Sequence, residues 1–134
     1  WAPSNFSWTQ KTKINTKNAP QAIGSYEQAI VANGLVYTSG QIPLSPEGII
    51  VGECIREQTN QAMKNLKAVL EASGSSLQSV IKVTIFIKDM DEFKVIDDVF
   101  NSFFDGNYPA RSCVEVARLP KDVRVEIEAA GIVS

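Results

Sequence analysis

Alternating apolar and polar positions predict a β-hairpin as the first regular structure of the chain. Two runs rich in β-forming residues, 28–32 and 35–39, flank Asn33 and Gly34, the dipeptide best suited to a two-residue hairpin turn. The residues that follow, 41–52, include two prolines and two glycines. Because proline cannot donate a hydrogen bond to a neighbouring strand, this stretch is predicted to be a loop that leads into a short extended segment.

Two segments have apolar residues at steps of three and four, which is the period of an amphipathic helix. The first helix is predicted over residues 55–73, with a stop at Gly74. Its buried positions are Ala62, Met63, Leu66, Val69 and Leu70. The second helix is predicted to be capped by Asp89 or Asp91 and to end before Gly106. Its buried side consists of Phe93, Ile96, Phe100, Phe103 and Phe104.

Three further strands complete the predicted order of elements. Residues 80–87 alternate as a central strand does, with one face formed by Ile81, Val83, Ile85 and Ile87. Residues 112–117 and 123–133 are the last two strands, joined by a turn. The prediction is an α+β fold, in which a mixed sheet has two helices on one face. Because several strands are apolar on both sides, the uncovered face is predicted to meet another subunit of a homo-oligomer.

Composition narrows the class of protein without defining its activity. A chain of 134 residues with 44% hydrophobic and 21% charged residues fits one soluble, intracellular domain. A net charge of -2 disfavours a nucleic acid partner, which requires a clustered basic surface. No stretch approaches the roughly 20 apolar residues of a membrane helix, so no membrane partner is expected.

Histidine is absent from the sequence, and the two cysteines, Cys54 and Cys113, lie far apart. Without histidine to complete a ligand set, a structural zinc site is disfavoured, and neither a metal nor a cofactor is expected. Two free thiols suit a reducing compartment better than one disulfide does. Any catalysis must therefore depend on Arg, Glu, Tyr, Ser and the backbone.

The beginning of the chain differs in composition from the rest. Three lysines and no acidic residue precede Glu27, a bias that is also found in organellar presequences. The same stretch lacks arginine and an amphipathic period, so a surface arm explains it at least as well. We predict a flexible N-terminal arm over residues 1–18, a single domain over residues 19–134, and a mitochondrial or cytoplasmic location.

The last third of the chain contains the residues best suited to bind a small anion. Arg111 stands at the start of an apolar strand, and Glu126 lies on the polar side of the next one. A guanidinium can bind a carboxylate through two parallel hydrogen bonds, and a glutamate can orient a water molecule. Alternation places Cys113 on the same side as Arg111, where it is predicted to be a thiol that lines the site.

Each of these assignments has a purely structural alternative. Arg111 alone could be a surface residue or an ion-pair partner. The pattern does not decide whether Glu126 or Glu128 enters a pocket. A cross-strand pair between Glu115 and Arg124 on a solvated row would need no function at all.

Four segments resemble the RidA/YjgF family of reactive-imine deaminases. They are residues 22–29 (AIGSYEQA), 36–42 (VYTSGQI), 108–113 (YPARSC) and 125–128 (VEIE). The similarity runs in the family's order from about Ala19 to the C-terminus. It implies a chorismate-mutase-like fold and a homotrimer with active sites in the clefts between subunits. The implied reaction is hydrolysis of 2-iminobutanoate and 2-iminopropanoate to 2-oxo acids and ammonia.

The same resemblance implies roles for individual residues. Arg111 binds the substrate carboxylate, and Glu126 places or activates water, so these two are the predicted catalytic residues. The remaining substrate-binding positions are matched by Tyr26, Ser39, Gly40 and Cys113. The expected ligands are small 2-imino and 2-oxo acids.

Three positions depart from the family's pattern. Ser25 replaces a common proline, which should loosen the turn before Tyr26. Glu27 stands where a serine is common, and Asp91 stands where many members have asparagine. A carboxylate near an anion site would repel substrate, so Asp91 could alter the substrate range.

Other functions fit the same residues. One is a non-catalytic module that binds a small carboxylate as a signal. Another is a chaperone-like or RNA-directed activity, which some relatives are reported to show. An isomerase, suggested by the implied fold, is a third, but a fold does not carry a function by itself.

Overall fold

A computed structural model describes residues 10–134, which form a six-stranded sheet with two helices on one face. The strands are β1 (Thr12–Ile14), β2 (Ala29–Ala32), β3 (Leu35–Thr38), β4 (Val80–Ile87), β5 (Ala110–Glu115) and β6 (Val125–Ile132), and the helices are α1 (Ile55–Ala72) and α2 (Phe93–Phe104). The order across the sheet is β1-β2-β3-β6-β4-β5. Strands β4 and β5 pair in parallel, and the other neighbours are antiparallel. The predicted α+β class is confirmed.

The predicted hairpin is confirmed as strands β2 and β3. Ala32 pairs with Leu35, so only Asn33 and Gly34 form the turn, and both have positive φ, at 53° and 77°. Two consecutive positive φ angles match the twist of the strands on either side, and asparagine and glycine are the residues that adopt them at least cost. The local sequence therefore determines this register directly.

Helix α1 buries the stripe that its period predicts. Its five predicted core positions are all fully buried, and they pack on the sheet residues Val36, Val83, Ile85, Val125 and Ile127. The helix ends just before Gly74, whose φ is +83°. Helix α2 lies beside α1 on the same face and ends at Asp105, in the left-handed region at φ 50°.

The start of α2 differs in detail from the prediction. Asp89 accepts a hydrogen bond from the Asp91 amide, at 2.9 Å, and so caps a short 3-10 turn, Met90–Glu92, that precedes the helix. Glu92 occupies the N-cap position of α2 without a side-chain hydrogen bond. The cap predicted at Asp89 therefore exists, but it belongs to the turn.

Strand β4 has the predicted bounds but differs from the prediction at Ile81. The alternation predicts this residue on the buried face with Val83, yet its side chain is 45% exposed. The register with β6 shifts between Val80 and Lys82, and a bulge of this kind turns one side chain to the other face. Gly131 lies opposite the bulge, where a Cβ would approach the Ser79 carbonyl to 3.3 Å.

Residues 41–52 form no regular strand, which corrects the prediction of a short extended element. Two isolated bridges occur, Gln41 with Ile127 and Leu44 with Ile50. The Ser45 and Val51 amides donate to the carbonyls of Ile49 and Pro43. Pro43 and Pro46 have no backbone N–H to donate to a neighbouring strand, and the hydrogen bonds of this stretch form within a tight turn instead.

Strand β1 lies in the segment predicted to be a flexible arm. Thr12 and Ile14 pair with Val31 and Ala29, and Gln28 bonds the backbone of Thr16 and Pro20. The predicted arm over residues 1–18 therefore differs from the structure at residues 12–18, which are attached to the sheet. Residues 1–9 of that arm lie outside the described residues.

The face of the sheet away from the helices carries apolar side chains. Tyr37, Val114 and Ile132 all lie on it, and they are 52%, 41% and 50% exposed. These side chains come from three strands, β3, β5 and β6. Both cysteines are free thiols. In the part of the chain from residue 10 onward, no helix is long and apolar enough to cross a membrane.

Candidate active site

The predicted site residues fall into two groups on opposite faces of the sheet. Arg111 pairs with Val83 of β4, and Glu126 pairs with Phe86 of the same strand. Val83 and Phe86 are three positions apart, so their side chains point to opposite faces, and those of Arg111 and Glu126 do the same. Two strand spacings and three residues also separate them by roughly 14 Å within the sheet. One chain does not bring Arg111 and Glu126 together.

Arg111 lies on the helix-covered side, at the edge strand β5. Its Nη1 donates to the Asp97 Oδ1 at 2.6 Å, and its Cζ is 4.9 Å and 5.4 Å from the ring centroids of Phe100 and Phe93. Aromatic faces attract guanidinium groups at these distances. We call Arg111, these three residues of α2 and Cys113 the arginine half-site.

The spacing of α2 explains why three of its residues meet one arginine. Phe93, Asp97 and Phe100 are separated by four and three positions, so they lie in one row along the helix. That row faces β5, the strand of Arg111. The guanidinium therefore contacts one carboxylate and two aromatic rings, and the arginine side chain is 23% exposed.

A cavity of about 920 Å³ opens beside the guanidinium. Its lining includes Arg111, Asp97, Phe100 and, from the loop before β5, Tyr108 and Pro109. Tyr108 donates a hydrogen bond to the Asn101 side chain of α2. Because the cavity lies at the edge of the sheet, a small molecule can reach the arginine from outside the chain.

Cys113 lies on the same side of β5 as Arg111, as predicted, and packs against the main core. Burial raises the pKa of the Cys113 thiol, and nearby Asp97 raises it further, while Arg111 acts in the opposite direction. A thiol with a raised pKa stays protonated at neutral pH and is a poor nucleophile. Its surroundings suit a residue that lines a pocket.

Sequence reasoning did not find Asp97. The resemblance implies that Arg111 binds a ligand, and the alternative, an ion pair, is also present, because Arg111 pairs with Asp97. The signal was an acidic residue at position 97, in the same helical row as two phenylalanines that were assigned to the buried side. Asp91, the carboxylate suspected from the sequence, is exposed in the turn before α2 and does not line this cavity in the chain.

The second group lies where the chain leaves β3 and passes β6. Gln41 and Ile127 exchange backbone hydrogen bonds at 2.8 Å and 3.0 Å, which brings Gly40 beside Glu126. A Cβ built on Gly40 would lie 1.9 Å from the Glu126 Oε2, so a side chain at position 40 and the present carboxylate cannot coexist. Glu126, Gly40, Ser39 and Tyr26 are called the glutamate half-site.

Burial raises the pKa of the Glu126 carboxyl, and the negative charge of Glu128 raises it further. The two glutamates lie on the same face, two positions apart on β6. A carboxylate that is harder to ionise is also a stronger base once it has lost its proton. Of the two residues left open by the sequence, Glu126 is the one that lies against Gly40.

Tyr26 and Ser39 border this group in different ways. The Ser39 hydroxyl donates to the Glu27 carbonyl at 2.6 Å, so it holds the entry of β2 and is already engaged. The Tyr26 hydroxyl accepts from the Ile23 amide at 3.2 Å and keeps its own proton available. A small pocket that includes Tyr26 and Gly40 joins the two segments.

A row of polar residues on α1 positions the loop that leads away from Gly40. Asn65 is buried and donates to the carbonyls of Ile42 and Leu44 at 3.0 Å and 2.8 Å. Gln61 also donates to the Leu44 carbonyl, at 3.3 Å. The helix therefore fixes the backbone beside the glutamate half-site, a role that its apolar period does not reveal.

The cross-strand pair between Glu115 and Arg124 does not form. Arg124 pairs with Glu92 instead, and Glu115 accepts from the Met90 amide at 2.8 Å. The reason is topological, because β4 lies between β5 and β6. Glu115 and Arg124 are therefore both paired elsewhere, and neither lines the cavity beside Arg111.

The fold and site define a small α+β protein with a cavity-lining arginine on one face of its sheet and a partly buried glutamate on the other. The chain belongs to the family described as Endoribonuclease L-PSP, whose model matches residues 16–133. The predicted membership of the RidA/YjgF family is confirmed.

Three relatives illustrate the similarity. A RutC family protein of Pyrococcus horikoshii is 51% identical over 120 residues, which is 89% of this chain and 95% of the relative. The 2-iminobutanoate/2-iminopropanoate deaminase of Salmonella typhimurium is 45% identical over 122 residues, again 89% of this chain and 95% of the relative. The crystal structure of E. coli TdcF with bound serine matches with a TM-score of 0.87 and 45% identity, and the match covers 92% of this chain and 99% of TdcF.

Proposed function

We propose that this protein hydrolyses reactive 2-imino acids, such as 2-iminobutanoate and 2-iminopropanoate, to 2-oxo acids and ammonia. The observation that carries the proposal is Arg111, whose side chain lines an open cavity and, among residues 10–134, is hydrogen-bonded only through Nη1, to Asp97. The deaminase relative supports the reaction. The serine bound to TdcF supports a small ligand with a carboxylate. The role would be to remove reactive imines before they damage other molecules.

The proposed site is completed by a second subunit. Arg111 and Glu126 lie on opposite faces, so a ligand that touches Arg111 in one chain requires Glu126 from another. The apolar side chains on the uncovered face, among them Tyr37 and Ile132, would be buried when copies of the chain associate. A homotrimer with three identical clefts would place one arginine half-site against one glutamate half-site in each cleft.

The chemical steps need little from the protein beyond positioning. Arg111 binds the carboxylate of a protonated imine, whose carbon is already electrophilic. Glu126 accepts a proton from water as the water oxygen bonds to that carbon, which gives a carbinolamine. Proton transfer to the nitrogen and cleavage of the C–N bond then release ammonia, and the carbonyl of the 2-oxo acid forms. Tyr26 would close the cleft, with Ser39, Gly40 and Cys113 lining it.

A second candidate function comes from the family's description as an endoribonuclease. The net charge of -2 and the absence of histidine from the sequence give little support to RNA cleavage, which depends on phosphate binding and acid–base groups. A non-catalytic module that binds a small carboxylate would use the same arginine. Turnover separates these candidates.

The test follows release of 2-oxo acid and ammonia while an amino-acid dehydratase generates the imine in the assay. Arg111→Ala should reduce kcat/KM by about 10- to 100-fold, because charge-assisted hydrogen bonds are lost. Glu126→Gln should reduce it by about 100-fold or more, because the base is lost. Arg56→Ala is the matched control, since Arg56 lines the same cavity but pairs with Asp98.

Three outcomes would favour a different function. Rates equal to the uncatalysed reaction with wild-type protein would exclude a deaminase. If 2-oxobutanoate nevertheless bound the wild type and not Arg111→Ala, the protein would be a carboxylate-binding module. Cleavage of RNA by the wild type that persists in Glu126→Gln would favour the endoribonuclease.

A further inference from the structure

The ion pair between Arg111 and Asp97 creates a difficulty for a simple anion site. The Oδ1 of Asp97 is 2.6 Å from the arginine Nη1, so the charge of the guanidinium is already partly neutralised. A ligand with a carboxylate alone would meet a second negative charge beside the same guanidinium. Like charges at such distances repel, and the ligand would bind less well than at an unpaired arginine.

Asp97 is available to a ligand as well as to Arg111. Its side chain is 48% exposed, compared with 23% for the arginine, and both residues line the cavity. Asp97 also raises the pKa of the Cys113 thiol, which lies two positions from Arg111 on the same side of β5. The cavity wall therefore presents a positive and a negative group side by side.

This pair of charges matches a ligand that carries a positive and a negative group close together. In a protonated 2-imino acid, the cationic nitrogen and the carboxylate are attached to the same carbon atom. Its carboxylate can bind Arg111 while its N–H groups donate to Asp97. The product of hydrolysis, a 2-oxo acid, has the carboxylate but lacks the cation, so Asp97 repels it without compensation.

We propose that Asp97 determines specificity, by making the Arg111 site prefer ligands with a cationic nitrogen next to the carboxylate over 2-oxo acids. Protonated imine is then retained and product is expelled. The identity of the physiological ligand rests on the function proposed above, whereas the charge preference rests on the cavity geometry alone. Asp97 therefore does more than hold the arginine in place.

The chain offers a close control for Asp97 in its neighbour on α2. Asp98 lines the same cavity, but it pairs with Arg56 at 2.9 Å rather than with Arg111. Asn substitution removes the same charge from either position and preserves the shape of the side chain. Any effect of net charge on the whole cavity will appear in both variants.

The experiment measures dissociation constants by calorimetry for L-2-aminobutanoate and 2-oxobutanoate, which share a carbon skeleton and differ at C2. Asp97→Asn should weaken binding of the amino acid and tighten binding of the oxo acid, each by roughly five-fold, as expected for a partly exposed ion pair. Asp98→Asn should leave the ratio of the two constants unchanged.

Three results would overturn the inference. If both ligands bound Asp97→Asn more weakly, Asp97 would only be holding Arg111. If neither constant changed, Asp97 would have no contact with ligands. If the wild type failed to bind the amino acid, the charge pattern would have no ligand. None of these depends on turnover, so an inactive wild type with intact charge preference would reject the proposed reaction and leave this inference standing.

Discussion

The two halves of the candidate active site hold their key side chains by different means. Arg111 is held by other side chains, through an ion pair and two aromatic rings on α2. Glu126 lies against bare backbone, where Gly40 leaves room for its carboxylate. The arginine therefore has several partial supports that can be removed one at a time, whereas the position of the glutamate depends on the absence of one side chain.

The strongest test of this division asks whether the halves must come from different subunits. Subunits of Arg111→Ala and Glu126→Gln are mixed in equal amounts and reassembled, and deaminase activity is measured. In a cyclic trimer each mixed assembly contains one cleft with both residues intact. Random assembly then restores about a quarter of the wild-type rate.

The control for this mixture is Arg111→Ala combined with the double variant, in which no cleft is intact. Activity there should stay at background. The mixture of Arg111→Ala and Glu126→Gln could also show only background activity although trimers have formed. That result would mean that each site lies within one chain, and it would contradict a site shared between subunits.

Gly40→Ala should have the next largest effect. The new Cβ would overlap the Glu126 carboxylate, which must swing away. A displacement of about 1 Å at a catalytic group can reduce the rate by roughly 100-fold, while the flexible glutamate limits the loss of stability. Gly24→Ala is the control, since its Cβ would lie 3.6 Å from the Tyr26 ring, an ordinary contact. Equal kcat/KM for the two variants would refute the conclusion that Gly40 leaves space that the Glu126 carboxylate needs for activity.

A smaller effect is expected on the pH dependence of kcat/KM in Glu128→Gln. Burial and the charge of Glu128 both raise the pKa of Glu126, and the base acts only when it is ionised. Activity should therefore rise as pH increases through that raised pKa. Removing the Glu128 charge lowers the pKa, so the acid limb should move to lower pH. A limb that stays in place or moves upward would show that Glu126 is not the base.

The smallest effect concerns thermal stability. Because the folded state raises the pKa of Glu126, it binds more protons than the unfolded state, and stability is lost as pH rises through the raised value. Glu126→Gln removes this loss. Its Tm should exceed that of the wild type near pH 7 and approach it near about pH 3, below the unfolded-state pKa of glutamate, where the carboxyl is protonated in both states. Glu47→Gln, at an exposed position, should show no such pH-dependent difference.

The elements that depend on local sequence could be predicted before the structure. Asn33 and Gly34 specify the hairpin, and the apolar steps of α1 specify its buried side. Strand β1 was missed because three residues are too few to show alternation. The outward turn of Ile81 was missed because a bulge depends on the partner strand rather than on the sequence around it.

The site was predicted only in part for a similar reason. The resemblance supplied Arg111 and Glu126, and alternation correctly placed Cys113 beside the arginine. Their distribution over two faces follows from β4 lying between β5 and β6, a long-range pairing that no local pattern contains. The contact of Asp97 with Arg111 required the angle at which α2 crosses the edge strand.

Asn65 lies on α1, outside both half-sites, and yet fixes the loop that follows Gly40 through two carbonyls. A screen that scores variants only by activity would rank it beside the residues of the cleft. Distance from the chemistry is therefore a poor guide to tolerance in this protein, and engineers who repack α1 for stability would have to keep its polar row.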